Sequence, residues 1–139
     1  MFWIHGGGNT SGEAASYDFS KLASAHDLVI VSINYRLGFL GWFYHPAFAA
    51  TSNNLEDKSG NFGTLDQIMA LKWVKQNIED FGGDKNNVTI FGESAGGHNV
   101  FALLSSPLAK GLFHKAISQS GATNTVSYTH LTLPTRIFV

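Results

Sequence analysis

Val88-Thr89-Ile90-Phe91-Gly92-Glu93-Ser94-Ala95-Gly96 runs from an apolar, β-branched stretch straight into glycine, an acid, serine, alanine and glycine. Residues 88–91 read as a buried strand. Residues 95–104 read as a helix stopped by Ser105-Ser106-Pro107. A G-x-S-x-G set between a strand and a helix requires a sharp turn with the serine at its apex. Glycines two before and two after, Gly92 and Gly96, remove side chains that would collide there. The helix N-terminus then points free N–H groups at any negative charge developing beside Ser94. Glycine is 15 of 139 residues, so the pattern alone is weak, and its placement between strand and helix gives it weight.

Working outward, the neighbouring stretches supply the rest of a sheet. Residues 1–4 read as a strand end and residues 19–25 as a short helix. Leu28-Val29-Ile30-Val31-Ser32-Ile33-Asn34 is almost continuously apolar, the pattern of a strand buried on both faces of a parallel sheet. A long loop over 35–61 follows. Leu65, Ile68, Leu71, Val74, Ile78 and Phe81 then recur at intervals of three and four, placing them on one helix face, with Gly82-Gly83 as the stop. Lys115-Ala116-Ile117-Ser118-Gln119 is a last short strand. Strands alternating with helices imply crossover connections and a mostly parallel α/β sheet.

His5-Gly6-Gly7-Gly8 follows the first strand and lies upstream of Ser94. Attack of a serine hydroxyl on a carbonyl builds an oxyanion, which preorganised backbone N–H groups stabilise. Losing one such donor costs ~100–1000-fold in rate. Glycines let the main chain approach without side chains intervening, so the N–H groups of Gly7, Gly8 and Ala95 are the candidate donors.

Composition narrows the field. Charged residues are 14% of the chain, against a typical ~25%. With 44% hydrophobic residues, this suggests a surface partly covered by protein outside these residues. A net charge of -1 with no basic stripe gives nucleic-acid binding no support. No apolar run reaches the ~18–20 residues a membrane helix needs. Cysteine is absent, which excludes disulfides and Cys-ligated metals within this stretch. Phe2-Trp3-Ile4 reads as a strand lacking its first half, with no signal-peptide pattern before it.

Six stretches, in order, resemble the type-B carboxylesterases, the family that includes cholinesterases. They are Trp3-Ile4-His5-Gly6-Gly7-Gly8, Asn34-Tyr35-Arg36-Leu37-Gly38, Gly60-Asn61-Phe62-Gly63-Thr64-Leu65-Asp66-Gln67, Phe81-Gly82-Gly83-Asp84, Phe91-Gly92-Glu93-Ser94-Ala95-Gly96-Gly97 and Ala116-Ile117-Ser118-Gln119-Ser120-Gly121. The resemblance implies part of an α/β-hydrolase fold, lacking N-terminal strands and the C-terminal half. It also implies hydrolysis of a small carboxylic ester through a serine acyl-enzyme, with no cofactor or metal. It places the nucleophile on Ser94 and the oxyanion donors on Gly7, Gly8 and Ala95, and assigns Glu93 to the site's hydrogen-bond network. Asn9 departs from the pattern, because many relatives carry an aromatic residue there.

A serine nucleophile needs a histidine base, and the base an orienting carboxylate. In this fold the chain order is serine, acid, histidine. No Asp or Glu follows Ser94, so the triad's acid and histidine are expected outside this chain, leaving it inactive alone. His98, His114 and His130 follow Ser94 and read as structural or incidental. His5 is expected to brace the glycine loop, and His26 and His45 read as bland. Asp66 is expected to pin local structure and Trp73 to lie in the core. Asn9-Thr10-Ser11 and Asn87-Val88-Thr89 match the glycosylation pattern. Residues 1–125 read as the partial catalytic domain. Residues 126–139 break the family pattern and resemble a translated sequencing adapter, so they read as a non-native tail. Two other readings stand beside the esterase. One is a cholinesterase-like interaction domain without catalysis, against which the intact elbow argues. The other is a lipase-like acetylesterase branch, against which the stretches at 34–38 and 60–67 argue.

Overall fold

The computed structural model describes residues 1–122, so the segment 126–139 and His130 lie outside the described residues. Four strands form one sheet: β1 (Phe2–Ile4), β2 (Val31–Ser32), β3 (Thr89–Glu93) and β4 (Lys115–Gln119). Their order is β2-β1-β3-β4 and every pairing is parallel. The register sets Trp3 beside Phe91 and Ile4 beside Gly92. It sets Phe91 beside Ile117 and Glu93 beside Gln119. The C-terminal ends of β1, β3 and β4 therefore finish together.

Strand alternation divides the apolar side chains between the two faces. Phe2, Ile4 and Ile90 are buried in one cluster with Ile68, Leu71 and Val74 of α4 (Phe62–Asn77) and Val100 and Leu103 of α5 (Ala95–Ser105). Trp3 and Phe91, one residue out of phase, meet at 4.8 Å with their rings tilted by 56°. Phe19, just before α1 (Ser20–His26), packs edge-on to both rings.

Several elements differ from the sequence expectation. The strand expected over 28–34 is reduced to two paired residues. It lies at the sheet edge, and its single partner β1 is only three residues long. Val29, Val31 and Ile33 are partly buried against the core rather than sealed on both faces. The expected loop over 35–61 contains α2 (Gly38–Gly41), α3 (Pro46–Thr51) and a 3-10 turn, Asp57–Ser59. Elements of four to six residues are too short to show a helical period.

On α4, Ile68, Leu71 and Val74 are buried as the spacing requires, and Ile78 follows them in a 3-10 turn, Ile78–Phe81. Phe81 itself is 61% exposed. Trp73 is also exposed rather than in the core. It stands two positions from Leu71, ~200° round the helix, and meets Phe81 at 5.8 Å. Gly82, at φ 79°, ends this segment in the left-handed conformation that glycine adopts without strain.

Candidate active site

β3 delivers the chain to Ser94, and α5 begins at the next residue. Ser94 has φ 55° and ψ -118°, a strained backbone for a residue with a side chain. Three contacts hold it there. Its N–H donates to the Gln119 carbonyl of β4 at 2.9 Å. Its carbonyl accepts from His98 N–H at 3.0 Å and from His98 Nδ1 at 2.9 Å. Because a carbonyl only accepts, His98 Nδ1 carries the hydrogen. His98 Nδ1 is therefore spent on the backbone of the turn.

The flanking glycines leave no room for anything larger. A Cβ on Gly96 would collide with the Ile4 carbonyl. A Cβ on Gly92 would lie 2.5 Å from the Gly96 carbonyl and 2.8 Å from the Ile4 oxygen. The end of β1 and the first turn of α5 thus meet with no side chain between them, and β1 continues directly into the His5–Gly8 loop.

That loop lies on the same end of the sheet as Ser94. A Cβ on Gly6 would sit 2.9 Å from both Glu93 O and Glu93 Oε2, and 3.3 Å from Ser94 Cβ. Glu93 therefore folds against the loop. Gly7 (φ 105°), Gly8 (φ 64°) and Asn9 (φ 58°) are three successive residues of positive φ. The reversal is closed by Thr10 and Ser11, whose N–H groups donate to Gly7 O at 3.1 and 3.0 Å. Both hydroxyls reach the same oxygen. Gly7 and Gly8 are exposed, and among the described residues their N–H groups donate no hydrogen bond. Ala95 is the first residue of α5, where the N–H has no partner within the helix.

His5 is 1% exposed, stacks on Tyr35 at 4.5 Å and turns Nδ1 to Gly6 O at 2.8 Å. It braces the glycine loop, with Nε2 buried and unpartnered among the described residues. His114 Nδ1 accepts from Val88 N–H at 3.1 Å, linking β4 to β3. His45 Nδ1 accepts from Ala47 N–H and caps α3.

Asp66 does more than pin its own helix. It takes Arg36 N, Nε and Nη2 at 2.9, 2.8 and 2.7 Å. The segment after β2 is thereby clamped to α4. Partial burial alone would raise the Asp66 carboxyl. The Arg36 hydrogen bonds and charge outweigh that and hold it below the usual carboxylate range.

Two residues with no role in the sequence reading prove central. Asn99 is 1% exposed, and its Nδ2 donates to Asn9 Oδ1 at 2.9 Å. The Tyr35 hydroxyl donates to His5 O at 2.6 Å, and burial pushes its pKa well above the usual phenol value. A signal existed for Asn99. It falls on the stripe of α5 that holds Gly96 and Leu103, and a polar side chain on a buried stripe needs a partner.

Two surface depressions, of about 420 and 630 Å³, lie around the C-terminal end of α5 and between residues 53–65 and Leu108. Neither includes Ser94. Among the described residues no three His, Asp or Glu side chains cluster as metal ligands would, and no helix is long and apolar enough to cross a membrane.

A parallel sheet whose strand β3 turns into a helix through Gly92-Glu93-Ser94-Ala95-Gly96, with a glycine loop beside the turn, is part of an α/β-hydrolase fold. Residues 1–135 match the model of the carboxylesterase family, and the chain belongs to that family. It is 54% identical over 127 residues to a medium-chain fatty acyl-CoA hydrolase precursor of Anas platyrhynchos, covering 91% of this chain and 21% of the relative. It is 53% identical, with the same coverage, to the liver carboxylesterase of Sus scrofa. Among solved structures, a thermophilic PNB esterase superposes with TM-score 0.78 at 51% identity, over 87% of this chain and 24% of that one. A Geobacillus stearothermophilus carboxylesterase superposes with TM-score 0.74 at 46% identity, over 83% of this chain and 24% of that one. The chain thus spans about a fifth of the length of the curated relatives it matches.

Proposed function

We propose that this chain is the nucleophile-bearing part of a carboxylic ester hydrolase that works through a serine acyl-enzyme. The observation that carries the reading is Ser94 itself, held at φ 55° between β3 and α5 with the Gly6–Gly8 loop against it. Strain of this kind, maintained by Gln119 and His98, is what a protein retains where a side chain must be presented.

In this reading Ser94 Oγ attacks the ester carbonyl carbon while a histidine takes its proton. The oxyanion rests on the free N–H groups of Gly7, Gly8 and Ala95. Collapse of the tetrahedral species expels the alcohol, which receives that proton, and water then hydrolyses the acyl-enzyme. Gly92 and Gly96 keep the turn tight, and Glu93 supports the loop. In this reading the histidine and its carboxylate come from residues outside this stretch, because the chain order is serine, acid, histidine and no Asp or Glu follows Ser94. By itself the stretch is then inactive.

The test is the full-length enzyme that carries this segment, assayed with short aryl esters. Measurable turnover is expected. A folded full-length protein that hydrolyses none of them would favour the non-catalytic interaction domain instead.

A further inference from the structure

The glycine loop and the nucleophile helix are joined by one side-chain pair 90 residues apart in sequence, Asn99 Nδ2 to Asn9 Oδ1 at 2.9 Å. Both partners stand at meaningful places. Asn9 closes the run of positive φ that starts at Gly7, and asparagine is among the few residues with a side chain that tolerate φ 58°. Asn99 lies five residues into α5, fully buried beneath the turn that begins with Ala95.

The pair belongs to a larger network. The Tyr35 hydroxyl approaches the same Asn9 Oδ1. That hydroxyl gives its own proton to His5 O at 2.6 Å, so the 3.5 Å approach of Tyr35 to Asn9 Oδ1 leaves Asn99 as the donor Asn9 depends on. On the other side, Gly38 N–H donates to Asn9 O at 2.7 Å. The loop is thus held at both its ends, at His5 by Tyr35 and at Asn9 by Asn99 and Gly38.

We infer that Asn99 is a positioning residue: acting through Asn9, it sets how the N–H groups of Gly7 and Gly8 stand relative to the Ala95 N–H at the start of α5. The inference rests on the reading of those three groups as the oxyanion site. A side chain without an acceptor oxygen at position 9 could not take this bond. The device therefore belongs to chains that carry both asparagines. Donors must match the place where the oxyanion forms, and a small misplacement weakens the transition state far more than the bound substrate. The signature is a loss in kcat with little change in KM.

The experiment uses the full-length enzyme carrying this segment, with three variants: Asn9→Gly, Asn99→Ala and the pair together. Asn9→Gly removes the acceptor while keeping the backbone free to hold positive φ, so it carries the test even if Asn99→Ala fails to fold. In each single variant kcat on a short aryl ester is expected to fall by about 10- to 100-fold, with KM within about two-fold of the parent. The double variant should be no slower than the worse single one, because both remove one bond. A kcat for Asn9→Gly within about two-fold of the parent would overturn the inference, as would losses that multiply in the double variant. Labelling of the parent by an organophosphate probe separates the two levels. A parent unlabelled at Ser94 overturns the oxyanion reading itself, whereas a labelled parent with unaffected asparagine variants overturns only the role of Asn99.

Discussion

The Ser94 end of the sheet and the outer face of α4 come from the same short chain, yet they are finished differently. At Ser94 the turn's backbone groups are taken up, by Gln119 and His98, and glycines occupy the places where a Cβ would strike backbone. On the outer face of α4, Met69 is 67% exposed, and Trp73 and Phe81 lean on one another in the open. β4, the last strand among the described residues, is exposed along most of its length. The difference teaches that local chemistry is enough to shape the elbow, while covering the layers around it takes more chain than these residues provide.

The largest expected effect separates the segment from the enzyme. Expressed as residues 1–125 or 1–139, the chain should turn over esters several orders of magnitude more slowly than the full-length enzyme. It should also melt without a sharp transition, because open strand edges and uncovered apolar faces favour association over folding. A soluble segment with cooperative melting and enzyme-like rates would break the contrast drawn above.

Next in size is the tight side of the comparison. Gly96→Ala drives a methyl group into the Ile4 carbonyl, which is backbone and cannot yield cheaply. In the full-length enzyme it should cost on the order of 3 kcal/mol in chemical denaturation. A loss below about 0.5 kcal/mol, the range of an ordinary surface change, would mean that β1 and α5 do not meet so closely.

The smallest effect concerns the Arg36–Asp66 clamp, which ties the long connection to α4. Asp66 has its carboxyl pKa depressed in the folded state. Its contribution is therefore fully present above the unfolded value, about pH 4, and fades as pH falls through the lower folded value. Melting temperature against pH for the full-length enzyme and its Asp66→Asn variant should show a gap near pH 6 that narrows toward pH 3. A gap that widens on acidification would reverse the sign argued here.

What could be read from sequence follows the same division. The strand and helix around Ser94 were placed within a residue or two, because β-branched residues, paired glycines and a proline stop all act locally. Residues 28–34 read as a full strand because composition reports burial and not the length of the partner, which here is three residues. The size of Trp73 suggests the core, whereas its position two residues from Leu71 points outward. The Asn9–Asn99 bond spans 90 residues and joins a loop to a helix, so no local pattern could pair them. The lone polar residue on a buried stripe was the only trace it left.

The central claim, that Ser94 is the nucleophile this architecture presents, is met most directly by covalent labelling. The full-length enzyme should be labelled by an organophosphate probe at Ser94, as located by peptide mass spectrometry, and Ser94→Ala should reduce labelling to background. Undiminished labelling of Ser94→Ala, or modification of a different residue in the parent, would contradict the account.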